Sequence, residues 1–336
     1  AQRNNQLSDI PQDYLARLEK MYDYQLYAMR PDWQVFGFND SWSSNPLELL
    51  KDAAAFFPAR QDLKWGATRG AEGVKPPPDS VAFPYSGHYV LRSGWEPHDL
   101  LLHFDAGPFG SGHQHEDKLG FQAFAYGTTV LTEGGVYMYD ASRWRRYVLS
   151  TRAQNTIRVD GLDQRAREVR ASYVLPYPFQ PLANPWATTR QGDFVEGSYD
   201  YGYGTTKQGI AQVKHTRAIL FVKPQYWIVF DTLTPTDGKS HQYEAMFHFA
   251  ADSAAAAGLA VSTTGKGPNV HVLPLASSGL SVEIVKGVQE EPVQGWANGP
   301  WRAVPTALYH WQSDQVTRQA FVIYPTPAGA PCPVKS

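Results

Sequence analysis

Cysteine, charge and long apolar runs are all scarce in this chain. Of 336 residues one is cysteine, Cys332. A single thiol excludes a disulfide within the chain and any cysteine-based zinc cluster. Charged residues make up 18%, below the roughly 25% usual for soluble domains. The net charge is −2, so no excess of cations is present to displace phosphate counterions, which argues against a dedicated nucleic-acid binder. No run of ~18 apolar residues occurs, and no membrane-spanning helix is expected. The N-terminus, Ala1-Gln2-Arg3-Asn4-Asn5, has no Met, basic stretch or apolar leader core. It reads as the start of a mature protein or of a fragment of something longer. There is no glycine-rich phosphate loop, no His-Glu-x-x-His and no Gly-x-Ser-x-Gly elbow, which makes nucleotide enzymes and α/β-hydrolases poor fits.

What is present is apolar and aromatic: 43% hydrophobic residues, with 10 Trp, 19 Tyr and 16 Phe. Such a chain can bury a core and is not disordered. Residues 1–60 read as helical. Ser8 or Asp9 can cap a helix with Pro11 in its first turn, and Leu15, Leu18, Tyr22, Leu26 and Met29 give it one apolar face until Pro31. A second helix can start at Asn45-Pro46 and end at Pro58. The loop between them carries Trp33, Phe36, Phe38 and Trp42 and must pack against something. Residues 61–82, containing Lys75-Pro76-Pro77-Pro78, read as a linker. From residue 83 to the end, eleven β-branched or aromatic runs separated by turn residues predict a mainly β region. The expected architecture is a large antiparallel β-sandwich.

The densest chemistry lies at Gly112-His113-Gln114-His115-Glu116-Asp117. In an extended chain residues i and i+2 share a side, so His113 and His115 are expected to face one way. Two imidazoles there could bind zinc, or one could act as a base beside the other; ordinary surface histidines are the plainer alternative. Glu133 is the next acid in a strand-to-turn setting. Residues 143–170 hold eight arginines, no lysine and three acids. Arginine forks suit carboxylate or sulfate. Tyr137, Tyr139, Trp144 and Tyr147 lie beside them, a mixture that suits a chain of acidic sugars, with Arg143, Arg146 and Arg152 as the expected substrate-binding members. A solvated charged edge is the alternative. His215 and His248 are candidates for distant ligands, although most histidines in sheets are simply hydrogen-bonded.

A connected string of motifs resembles the heparinase II/III-like polysaccharide lyases. It comprises GHYVLRSGW (87–95), LHFDAGP (102–108), GHQHED (112–117), TEGG (132–135), YVLSTRAQNT (147–156), VDG (159–161), HTR (215–217) and YWIVFD (226–231). The resemblance implies an N-terminal α/α toroid followed by an antiparallel sandwich. It also implies β-elimination on uronic-acid polysaccharides: a base removes the C5 proton, a partner neutralises the carboxylate, and an acid, often Tyr, protonates the departing O4. His113 matches the catalytic histidine, and Tyr147 or Tyr139 could be a cleft tyrosine. His115 matches a zinc-binding histidine, Glu133 an acidic ligand, and Gln154 stands where the third ligand is usually His. Zinc is therefore expected to be weak or absent, since an amide is a poor ligand beside imidazole.

The same resemblance places the main catalytic Tyr, and an Asn or His that grips the carboxylate, in the toroid. This chain has room for only its last helices, with Asn39-Asp40-Ser41-Trp42 leading out of it. The leading expectation is a carbon–oxygen lyase, or the C-terminal part of one, acting on an acidic polysaccharide, with the upstream toroid as its missing partner and a periplasmic or secreted location. The alternative is a non-catalytic sandwich module that binds acidic glycan or supports a catalytic toroid. A stand-alone metal hydrolase ranks last, for want of a third ligand.

Overall fold

The computed structural model describes residues 10–77, 79–110, 112–166, 180–276, 278–299 and 301–333. Three helices come first: α1 (Gln12–Tyr27), α2 (Leu47–Phe56) and α3 (Gln61–Ala67). Pro11 sits just before α1 rather than inside it; Ser8 and Asp9 lie outside the described residues. The first helix ends four residues before Pro31. Arg92, wholly buried, donates from its Nη2 to the carbonyls of Tyr27 and Met29, taking up oxygens a helix end leaves unsatisfied. Asn45 accepts from the Leu47 N–H at the start of α2. The expected linker over 61–82 needs correction. Its first seven residues are α3, whose Leu63, Trp65 and Ala67 are buried, so the connection shrinks to 68–80.

A five-stranded antiparallel sheet follows: β1 (Val81–Phe83), β2 (His88–Arg92), β3 (Leu101–Asp105), β4 (Phe121–Ala125) and β5 (Thr128–Leu131), in that spatial order. Next come α4 (Arg143–Leu149), β6 (Ile157–Val159), β7 (Trp186–Thr188), β8 (Gly192–Tyr199) and a small hairpin of β9 (Tyr203–Thr205) and β10 (Gly209–Ala211). The chain continues through β11 (Val213–Val222), β12 (Tyr226–Pro235), β13 (His241–His248), β14 (Ala254–Ala257), β15 (Ala260–Thr263), β16 (Asn269–Pro274) and β17 (Ser281–Val285). It ends with a hairpin of β18 (Trp296–Ala297) and β19 (Arg302–Ala303), then β20 (Thr306–Ser313) and β21 (Thr317–Thr326). An eight-stranded sheet has the order β14-β15-β16-β21-β12-β11-β8-β7, and a four-stranded one β17-β20-β13-β6.

The four- and five-stranded sheets make one layer. Leu131 bridges Phe249, the Thr132 N–H donates to the His248 carbonyl at 3.0 Å, and the Ala250 N–H donates to that of Val130 at 3.1 Å. This layer packs on the eight-stranded sheet through Trp227, Phe221 and Phe321 on one side and Tyr243, Phe247, Tyr309 and Phe104 on the other. Strand β11 alternates buried and more exposed residues along its length, the pattern of a sheet wet on one face. Strands β3 and β4 are buried at every position, because the helices cover their second face. Val90, Leu101 and Phe124 meet Leu26, Met29, Phe38, Leu50 and Trp65 there. The expected sandwich is present, with a helical layer added on one end. Phe36 and Phe38 of the aromatic loop are buried in that layer, while Trp42 stays 54% exposed.

Candidate active site

Two loops meet where the helical layer abuts the sandwich. Gly37 starts the first: any Cβ there would run into the Ser41 carbonyl, so only glycine lets the chain turn back on itself. That turn projects Asn39 and Asp40 toward the second loop, residues 106–120. The Asn39 side-chain oxygen accepts from Gln114 Nε2 at 2.7 Å and from the His115 N–H at 2.9 Å, and the Asp40 N–H donates to the His113 carbonyl at 3.2 Å. Asn39, His113, Leu119 and Tyr137 all have positive φ, four of the eight such non-glycine residues among those described. Backbone held this way concentrates where a site is over-determined by its surroundings.

Asp40 is the hub. Its side chain is 1% exposed. One oxygen takes His115 Nε2 at 2.8 Å, the other takes His113 Nδ1 at 3.1 Å, and Arg145 closes a fork on both at 2.5 and 2.6 Å. Burial alone would raise the carboxyl. Hydrogen bonds from His115, Arg145 and His113 outweigh it and hold Asp40 well below the usual carboxylate range. Arg145 is brought in by α4, whose first turn Ser142 caps by accepting from the Arg145 N–H at 3.2 Å. Tyr139 is 66% exposed, and its hydroxyl lies 3.2 Å from His113 Nδ1. Its ring stands edge-on to that imidazole and carries the Arg145 guanidinium at 4.7 Å.

The two histidines do converge, by a route other than the expected one. Residues 112–117 form no strand, and the positive φ of His113 breaks any alternation. His115 is 2% exposed and locked on Asp40; His113 is 70% exposed with its other nitrogen turned away from the hub. Tyr147 requires correction as a cleft residue. It is buried, its hydroxyl donates to the Trp296 carbonyl at 3.0 Å, and burial pushes its pKa up. It anchors the β18–β19 hairpin.

The arginine run divides. Arg143 lies exposed over the Trp144 ring, and Arg146 pairs with Glu291 at 3.0 Å, both partners 59% exposed. Arg152 lies past the end of α4 and is partly buried; burial, then the neighbouring charge of Arg158, lower its pKa against the pull of Asp163 and Glu244. Arg167 and Arg170 lie outside the described residues.

The expected metal set does not fit a metal ion in this arrangement. Gln154 turns its amide nitrogen to the Val148 and Ser150 carbonyls at 3.0 and 3.4 Å. Glu133 is buried; burial, then the charges of Asp117 and Asp105, push its carboxyl well up, toward the neutral form. His115 is occupied by Asp40. Among the described residues no group of three or more His, Cys, Asp or Glu side chains could hold a metal. His215 is committed to Asp231 at 2.6 Å, and His248 to Asn155 and the Arg152 carbonyl. Burial takes His248 down to about 3, so it stays neutral.

Sequence reasoning missed Asp40 and Arg145. The signal was a turn-forming Asn-Asp pair inside a loop too aromatic to stay free. Among the described residues no helix is long and apolar enough to cross a membrane.

The family model for the heparinase II/III-like C-terminal region matches residues 75–292, and the one for the heparinase II/III N-terminus matches residues 1–65. A heparin-sulfate lyase of Pedobacter heparinus is 26% identical over 238 residues, covering 69% of this chain and 33% of that protein. A heparin-sulfate lyase of Bacteroides thetaiotaomicron is 25% identical over 266 residues, covering 69% of this chain and 34% of that one. The crystal structure of heparan sulfate lyase HepC from Pedobacter heparinus superposes with a TM-score of 0.80 at 22% identity, over 98% of this chain and 50% of that one, which shows the shared fold. The chain thus spans about a third of the curated relatives it matches. With both regions matched in order, and the histidine loop inside the longer match, this chain belongs to the heparinase II/III-like family.

Proposed function

We propose that this chain is a portion of a polysaccharide lyase that cleaves uronic-acid polysaccharide by β-elimination, with His113 as the base. One observation carries the reading: His113 is the one member of the Asp40 hub that is mostly exposed, while its Nδ1 is held by that carboxylate. Asp40 accepts the Nδ1 proton and so leaves Nε2 with its lone pair facing outward. In the step, the C5–H bond breaks and its proton passes to Nε2. The electron pair forms the C4–C5 double bond as the C4–O4 bond breaks, and O4 takes a proton as it leaves. Tyr139, exposed beside His113, is the candidate donor. Arg143 offers an exposed fork to acidic groups along the polysaccharide, and Arg146 can do so by exchanging its solvent-exposed partner Glu291 for one. The relatives named heparin-sulfate lyases make heparan sulfate the first polymer to test. A polymeric substrate of that size is the support for a periplasmic or secreted location.

The test is the ultraviolet absorbance of an unsaturated uronide, measured with this chain alone and with the toroid region of a relative restored upstream. His113→Ala is expected to lower the rate by ~10²–10⁴-fold, the span of a lost general base. An unchanged rate in that variant would overturn the assignment. Retained glycan binding without product in either form would favour the non-catalytic module.

A further inference from the structure

A polar cavity of about 330 Å³ opens along the seam between the aromatic loop, β5 and the β18–β19 hairpin. A second of about 110 Å³ shares Ser43, Gln122, Thr132, Asn298 and Gly299 with it and extends to Trp42. The two form one trough that starts at Ser41, next to Asp40 in the chain, and is also lined by the buried Glu133; His113 is not among its lining residues. Its walls differ in what they leave unused. Arg30 is spent: it forks onto Asp32 at 2.9 and 2.8 Å, reaches Thr129, and lies over the Phe36 ring. Arg302 is not. Among the described residues its guanidinium meets only Asp252, at 3.1 Å, and that aspartate is 97% exposed. Such a pair is worth little and exchanges readily for a better anion. The Ser43 hydroxyl has no hydrogen-bond partner among the described residues, and Asn298 uses only its oxygen, on the Gly299 N–H. Trp42 offers an exposed indole face at the near end.

We propose that this trough is a subsite for one anionic sugar unit of a polysaccharide chain, with Arg302 taking the anionic group and Asn298 and Ser43 taking hydroxyls. The proposal rests on the reading of the chain as part of a lyase. Binding energy gathered on a unit remote from the bond being cleaved is what lets such an enzyme position the reacting one. It also makes affinity depend on chain length.

The test is the affinity of this chain for heparan sulfate disaccharide and octasaccharide, with and without sulfate, by calorimetry. Arg302→Ala and the cavity-filling Ser43→Trp are each checked for an unchanged thermal transition. Both variants are expected to weaken the octasaccharide about tenfold, the loss of one charge-assisted contact. Neither is expected to change disaccharide affinity, and Arg302→Lys should restore most of the loss. A loss confined to sulfated chains assigns the anion to sulfate, and a loss with both assigns it to the carboxylate. Equal octasaccharide affinity in wild type and both variants would overturn the subsite and leave the lyase reading standing. No binding of any acidic oligosaccharide to the wild type would overturn both.

Discussion

Two clusters of the same composition, histidine, aspartate and arginine, lie in different parts of this molecule. Between β11 and β12, Asp231 accepts from His215 at 2.6 Å and from Arg217 at 2.7 and 3.0 Å, with all three side chains fully buried. At the loop junction, Asp40 accepts from His115, His113 and Arg145, and one imidazole is 70% exposed. The closed cluster is scaffold. Its Arg217 also donates to the Leu119 and Asn155 carbonyls at 2.7 and 2.6 Å, which fixes the root of the histidine loop. In both clusters one imidazole nitrogen has no partner among the described residues; that of His215 is buried, whereas His113 is mostly exposed. Polar geometry alone therefore does not mark a reactive site; access does. The closed triad also holds the frame on which the open one stands.

The sharpest way to break this comparison is to remove each hub. Asp231→Ala strands a buried guanidinium and should cost about 3–5 kcal/mol in denaturant unfolding. Asp40→Ala should cost less, about 1–3 kcal/mol, because Arg145 is 11% exposed and can turn to water. Equal costs would mean that the open cluster is scaffold as well.

Acid titration separates the pair next. Burial alone would raise Asp231, but Arg217 and His215 bring it down to about 2. Its folded value lies below the unfolded one of ~3.9, so its stabilisation is present above that value and is lost as pH falls through about 2. Asp231→Asn should flatten this acid limb in a stability-versus-pH series. His241 behaves oppositely. Burial would lower it, yet hydrogen bonds to Asp160 and Asp237 at 2.6 and 3.0 Å raise it. Its contribution is full below the ordinary histidine value and fades as pH rises through the raised one, so His241→Gln should remove a decline on the alkaline side. The smallest effect belongs to Tyr147→Phe. Losing one hydrogen bond should cost about 1 kcal/mol and leave any elimination rate unchanged, whereas Tyr139→Phe should lower that rate with stability intact.

Much of the frame was legible because it rests on local pattern. The period-two runs at 212–222 and 226–233 became the long strands Val213–Val222 and Tyr226–Pro235. The covered strands β3 and β4 were legible as apolar runs. Short pieces escaped: α3 and α4 have seven residues each, too few for a 3.6-residue stripe to stand out. Helix α4 was hidden further by its arginines, whose fates depend on direction. Arg143 and Arg146 point outward, Arg145 inward to Asp40, and Arg152 belongs past the end of the helix. The histidine pair was found for a partly mistaken reason. An extended chain would place both rings on one side, whereas the structure uses a left-handed residue and a carboxylate 73 positions away.

By itself the sequence determined the class of fold, the helical start, and the loop that carries His113 and His115. Those follow from side-chain periodicity and from motifs that are contiguous in the chain. Only the tertiary structure decided which nitrogen is free, that Tyr147 is an anchor, that Gln154 is spent on backbone carbonyls, and that Asp40 holds the site together. The physical reason is that a buried charge must find its partners in space. Asp40, His113 and Arg145 come from three separate segments, and only packing the helical layer on the sandwich brings them within hydrogen-bonding distance.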